Sequence, residues 1–267
     1  MVFVNGRQAR PSEEVREGDL VEYERPQPVA VEPSAEPIAL DVLYEDADLV
    51  VLDKPAGMVV HPAPGHRSGT LVNALLARGG EWSSSGGRPR PGIVHRLDKG
   101  TSGLMLAARS EAAHRGLAAQ LADRTLSRTY LAIVGGTPSP PSGVLEGPIG
   151  RHPRDRVRMA VVEGGRPART RYEVVERRAG HTLVRCELES GRTHQVRVHL
   201  AAFGHPVAGD ELYGGRPASG QRPALAEPAR PLLHAWRLRF RHPASGAEMS
   251  FESEPPADFR EYWESLA

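Results

Sequence analysis

Short apolar or alternating segments, set at irregular intervals with few helices between them, restrict the architecture of this chain more than any other feature. Leu49-Val50-Val51-Leu52 is an unbroken apolar run ending at Lys54-Pro55, the pattern of a strand buried on both faces. Residues 103–108, 129–134, 157–162, 169–176, 182–189, 234–241 and 247–252 also read as strands. Helical signals are confined to three places. Thr70 can cap a helix through Leu71, Val72, Leu75 and Leu76, ended by Gly79-Gly80. Ser110 can cap another with Ala112, Leu117, Ala118 and Leu121 spacing, and 193–203 reads as the third. Strands and helices do not alternate, which argues against a doubly wound parallel sheet. The expected class is α+β, with a mixed, largely antiparallel sheet flanked by helices.

The N-terminal residues have a different character. Val2-Phe3-Val4 runs into Asn5-Gly6, a hairpin signal because both residues tolerate positive φ. A second turn at Gly18-Asp19 precedes Leu20-Val21-Glu22-Tyr23. Pro26, Pro28, Pro33 and Pro37 then mark a linker, with a domain boundary near residue 35. The expected organisation is a small module over 1–25, a proline-rich linker over 26–38 and one large domain over 39–267.

With 267 residues the chain can bury a large core without staples. Its single cysteine, Cys186, allows no intrachain disulfide and fits a reducing compartment. No segment approaches the roughly 18 apolar residues of a membrane span. The first residues do not read as a secretion signal. The expected location is therefore the cytoplasm. The net charge of +1 conceals an asymmetry: residues 1–50 carry 4 basic and 12 acidic side chains, whereas 150–200 carry 12 arginines and 6 acids. The arginine-rich segment suits a polyanion, although charge alone is equally that of a solvated face.

Three segments carry groups that could do chemistry. In GIVHRLDKGTSGL, residues 92–104, a polar cluster between two strand-like pieces places Asp98 at the lip of a sheet, flanked by Arg96 and Lys99. A nearby cation keeps a carboxylate ionised when it is partly desolvated, and such a group can act as nucleophile or base. An ordinary loop ion pair explains the same pattern equally well. In SGRTHQVRVHLAAFGHPVAGDELYG, residues 190–214, His194 and Arg197 are three apart and share a helix face. His194, His199 and His205 lack the i, i+4 spacing of a helical zinc pair, and no cysteine cluster supports them. Tyr130, beside Arg128 in a strand with Ala132 and Val134, reads as core or as a base-stacking platform.

Together these segments resemble the RluA-type pseudouridine synthases. HRLDKGTSGL at 95–104 is similar to that family's catalytic motif, RTYLAIVGG at 128–136 to its tyrosine strand, and 190–214 to its third motif. EDADLVVLDKPAGMVVHP at 45–62 and LHAWRLRFRHPASG at 233–246 resemble its opening and C-terminal sheet segments. The resemblance spans roughly 40–267 and is nearest to members that modify large-subunit ribosomal RNA. Residues 4–23 are more weakly similar to the second half of a small RNA-binding domain known from a ribosomal protein, whose two leading basic helices are absent here.

The resemblance implies a pseudouridine synthase fold and isomerisation of uridine in RNA, with neither cofactor nor metal. It implies that Asp98 is the essential carboxylate, open to three roles: attack on the anomeric carbon, addition to the ring, or removal of a sugar proton. Arg197 would be its ion-pair partner. Tyr130 would stack on the uracil, and Arg96 would fill the place of the flipped base or bind the backbone. The expected partner is RNA, probed by a monomer. Three alternatives remain to be weighed: the same chemistry on transfer RNA, a non-catalytic RNA-binding protein, and a metal-dependent hydrolase using Asp98, His194, His199 and Asp210.

Overall fold

The computed structural model describes residues 1–10, 12–24, 33–63, 65–87, 91–214 and 228–266. Part of the linker expected over 26–38 lies outside them. The chain forms two compact units, Met1–Glu32 and Pro33–Ala267.

The first unit is a three-stranded antiparallel sheet in which β1 (Val2–Val4) lies between β2 (Arg7–Gln8) and β3 (Val21–Tyr23). Asn5 and Gly6 both take positive φ, 50° and 76°, as the two-residue hairpin between β1 and β2 requires. The Asn5 amide also ties the two turns together. Its Nδ2 donates to Asp19 and its Oδ1 accepts from the backbone of Leu20.

The second unit is built on a nine-stranded sheet. Its strands are β4 (Asp41–Glu45), β5 (Leu49–Lys54), β6 (Ser102–Ala108), β7 (Ser127–Gly135), β8 (Ser142–Glu146), β11 (Arg169–Arg178), β12 (His181–Leu188), β13 (Leu233–Arg241) and β14 (Glu248–Glu252). They lie in the order β4-β5-β6-β13-β7-β12-β11-β8, with β14 also paired to β13. A separate ribbon, β9 (Ile149–Arg151) with β10 (Met159–Val161), projects between β8 and β11 in the chain. Four α-helices are present among the described residues: α1 (Leu71–Ala77), α2 (Glu111–Ala122), α3 (Gln195–Ala202) and α4 (Ala257–Ser265). The class is α+β with a largely antiparallel sheet, as expected.

Strand alternation divides the core. Val50, Leu52, Met105, Ala107, Tyr130 and Ala132 face one side, where Leu71, Val72 and Leu75 of α1 and Val196 and Leu200 of α3 cover them. Leu49, Val51, Leu104 and Leu106 face the other, against Ala113 and Leu117 of α2. Burial on both faces explains why β5 and β6 read as continuous apolar runs. Phe259 and Trp263 of α4 close the second face over Ile133.

One junction departs from antiparallel order. β13 pairs in parallel with β6 through His234–Ser102 and Ala235–Gly103, then continues antiparallel with β14. Gly103 permits this: its φ is +112°, and a Cβ there would stand 2.4 Å from the Ala235 carbonyl oxygen. A bulge between Ala235 and Arg237 shifts the register against β7. The chain therefore enters β6 from a turn at the centre of the sheet, and that turn carries Asp98.

Both helix caps read from the sequence are present. The Thr70 side chain accepts from the backbone of Asn73, and that of Ser110 from Ala113. The serine-rich segment after Trp82 is tied down at its start. Ser83, Ser84 and Ser85 all donate to the Glu111 carboxylate, which these bonds hold near pKa 2.

Candidate active site

Residues 92–98 run beside the part of β6 that β13 leaves unpaired beyond Gly103. Ala108 donates to Gly92, Ile93 bridges to Ala107, and the backbone N–H of Leu106 donates to His95 Nε2 at 3.0 Å. Alternation along this run buries His95 and Leu97 and turns Arg96 outward. A turn closed by Thr101 N–H on the Asp98 carbonyl then leads into β6. Asp98 stands at the lip of the sheet, where the pattern predicts it.

The start of α3 meets this lip. Gln195 fixes the segment before it. Its Oε1 accepts from Ser190 and from the backbone of Arg192, and its Nε2 donates to Arg169 and Thr170 of β11. His194 is the N-terminal flanking residue of α3 rather than part of its first turn. Its φ of 58° is unusual for a non-glycine, and its side chain makes no cap. The ring instead reaches Tyr213 Oη at 2.7 Å through Nδ1 and brings Nε2 to 3.8 Å from Asp98 Oδ1. Burial lowers the His194 pKa against the pull of Asp98, so the ring is neutral at neutral pH.

One turn further, Arg197 donates from Nη1 to Asp98 Oδ2 at 3.1 Å. Its Nε and Nη2 form a side-on bidentate pair with Asp210, at 2.6 and 2.8 Å. Asp210 is fully buried and also accepts from the backbone of Leu212 and Tyr213. Burial acts to lower the Arg197 pKa, but the two carboxylates outweigh it and hold the group above its ordinary value. The Tyr213 ring lies 5.0 Å beneath the guanidinium.

Asp98, His194 and Tyr130 line one cavity of about 430 Å³, walled also by Leu188, Val196 and Leu233. That size suits a flat heterocycle with its sugar. Burial raises the Tyr130 pKa, so the phenol stays neutral. Arg96 lies exposed on the cavity rim and donates to His61 Nε2 at 3.4 Å. Lys54, fully buried at the end of β5, donates to the carbonyls of Pro55 and Met58 and is pushed down to about 8 by burial, against the field of Asp98.

The structure thus brings Asp98, Arg197 and Tyr130 together and sets Arg96 at the rim. Sequence reasoning missed Asp210 as the clamp on Arg197 and His194 with Tyr213 as neighbours of Asp98. A buried-looking Asp in GDELYG, following an arginine on a helix, was the available signal. The three histidines separate: His199 bridges Thr170 and Gly147, and His205 reaches the Gly135 carbonyl. No group of three metal-ligating side chains occurs among the described residues. The hydrolase alternative needs Asp210 as a ligand, and Arg197 already occupies both of its oxygens.

Comparison with known proteins identifies the family. A family model described as RNA pseudouridylate synthase matches residues 48–202. The chain is 45% identical over 268 residues to an uncharacterized RNA pseudouridine synthase, YlyB, of Bacillus subtilis (strain 168), covering 99% of this chain and 85% of that one. It is 46% identical over 262 residues to ribosomal large subunit pseudouridine synthase D of Pseudomonas aeruginosa, covering 96% and 81%. The solved structure of human RNA pseudouridylate synthase domain containing 4 superposes with a TM-score of 0.65 at 26% identity, over 85% of this chain and 92% of that one. The fold is shared with RNA pseudouridine synthases, which are isomerases, and the chain belongs to the RNA pseudouridylate synthase family.

Proposed function

We propose that this protein isomerises uridine in large-subunit ribosomal RNA, in the cytoplasm and as a monomer, with Asp98 as the essential carboxylate. The observation that carries the reading is the Asp98 carboxylate on the wall of a cavity shared with Tyr130, held by Arg197 through Oδ2. Several relatives over most of the chain are named ribosomal large subunit pseudouridine synthase D, which favours that RNA over transfer RNA.

The reaction breaks the bond from N1 of uracil to the anomeric carbon and joins that carbon to C5. Attack on the sugar, addition to the ring and removal of a sugar proton all need an ionised oxygen at close range. With Oδ2 engaged by Arg197, Oδ1 is the oxygen left for the substrate. Tyr130 stacks on the uracil once the nucleotide has left its helix, and Arg96 at the rim takes the vacated position or a phosphate. A non-catalytic RNA-binding protein would have no use for a carboxylate held by an arginine on the wall of a cavity.

The test is pseudouridine mapping of total RNA from cells lacking the gene, complemented with wild type or Asp98→Asn. Discrete sites restored by wild type alone establish reaction and substrate. Restoration by Asp98→Asn would overturn the assignment of the carboxylate, and restored sites confined to transfer RNA would overturn the substrate.

A further inference from the structure

A second group of donors, on His95 and Arg128, lines the same cavity. His95 Nε2 accepts the backbone N–H of Leu106, so that nitrogen carries no hydrogen. Burial and the neighbouring Arg128 charge push the His95 pKa down to about 3, and the ring is neutral. Its one hydrogen is therefore on Nδ1, which is buried and reaches no partner among the described residues. Arg128 stands two residues before Tyr130 in β7, on the same strand face. Its Nε is also buried without a partner among the described residues, where its side chain makes one long contact of 3.5 Å from Nη2 to the Ser190 carbonyl. No carboxylate pairs with it among the described residues. Gly191 makes room for it, since a Cβ there would stand 2.9 Å from Arg128 Nη1. Both His95 and Arg128 line the cavity.

Unpaired buried donors are costly, and more so when charged. Folded proteins tolerate them where a ligand supplies the acceptor. The reaction supplies one. Breaking the N1–C1′ bond leaves its electron pair on uracil, with negative charge spread over N1, O2 and O4. The C5–C1′ bond then forms, the C5 proton is lost and N1 gains a proton, so substrate and product are isomers. Donors fixed where that charge develops lower the barrier.

We propose that Arg128 Nε–H and His95 Nδ1–H hold a carbonyl oxygen of the target uracil and take up its negative charge as the glycosidic bond breaks. The proposal rests on the reading that the cavity receives the target uridine.

The test uses the full chain and RNA fragments whose target uridine is replaced by 2-thio- or 4-thiouridine, sulfur being the weaker acceptor. Arg128→Met keeps the apolar stem and leaves the Leu106–His95 bond in place. At saturating RNA its single-turnover rate should fall about 100-fold, with RNA affinity within about 2-fold of wild type. One of the two thio substitutions should slow the wild type and have no further effect in Arg128→Met. A variant with weakened, more salt-sensitive RNA binding and an unchanged rate would identify a phosphate grip and overturn the proposal. If Arg128→Met does not fold, the wild type alone decides: no slowing with either thio substrate defeats the idea. Retained isomerisation by Asp98→Asn would instead strike the underlying reading of the cavity.

Discussion

Arg197 meets Asp210 side-on through Nε and Nη2, and that clamp fixes where its remaining Nη1 points: at Asp98 Oδ2, 3.1 Å away. The guanidinium is planar, so two bonds to one carboxylate set the direction of the third. Asp98 is thereby aimed by a residue it shares with a fully buried acid.

The clamp predicts an asymmetry between single variants. Arg197→Met strands the buried Asp210 carboxylate without its cation and should lose about 3–5 kcal/mol of stability. Asp98→Asn leaves Arg197 paired with Asp210, so stability should stay within about 1 kcal/mol of wild type while activity is lost. Urea denaturation of both proteins checks this. Equal stability losses would mean that Asp98, not Asp210, is the main partner of the arginine.

Tyr130 should act through its ring. Tyr130→Phe removes the hydroxyl and keeps the aromatic face, so isomerisation should remain within about 3-fold, whereas Tyr130→Leu should lose about 10-fold or more, in line with about 1–3 kcal/mol for a base–aromatic stack. Tritium release from RNA labelled at uracil C5 measures all three proteins. Equal rates would remove stacking from the account.

Gly103→Ala tests the parallel junction. The new methyl meets the Ala235 backbone at 2.4 Å, and φ is +112°, so neither a rotamer change nor a small backbone shift relieves it. A loss above about 3 kcal/mol is expected from overpacking and strain combined. A melting temperature equal to that of wild type would show that β6 and β13 separate there at little cost.

Lys54 gives the fold a pH dependence. Burial lowers its pKa from 10.5 to about 8. Between those values the unfolded chain carries a proton that the folded chain lacks, so stability rises with pH through the window. The penalty, about 3 kcal/mol, is fully present below pH 8 and relieved above 10.5. Comparing urea midpoints of wild type and Lys54→Met at pH 7.5 and 10.5 isolates the group, because the other residues titrate in both. A constant difference would show that Lys54 keeps its ordinary pKa.

Much of this was legible in the residues. The apolar runs of β5 and β6, the Asn5-Gly6 hairpin, the Thr70 and Ser110 caps and the turn carrying Asp98 are encoded within a few residues of themselves. The strands β4 and β8 and the helix α4 were not anticipated. α4 buries only Phe259 and Trp263 in a mostly polar segment, too narrow a stripe to announce a helix. Both β4 and β8 lie at the ends of the sheet order, half exposed, and lack a sustained apolar run.

Local pattern decided which residues form strands and helices, and that an acid would stand before β6. Tertiary structure decided what that acid touches. Arg197 is 99 residues from Asp98 and 13 from Asp210, and α3, packed on the sheet through Val196 and Leu200, carries it to the turn before β6. β13 reaches β6 beside that turn because Gly103 has no Cβ to meet the Ala235 backbone. Periodicity and capping are properties of neighbours in the chain. The division of one guanidinium between two carboxylates is a property of packing, since only the folded sheet brings the three side chains within hydrogen-bonding reach.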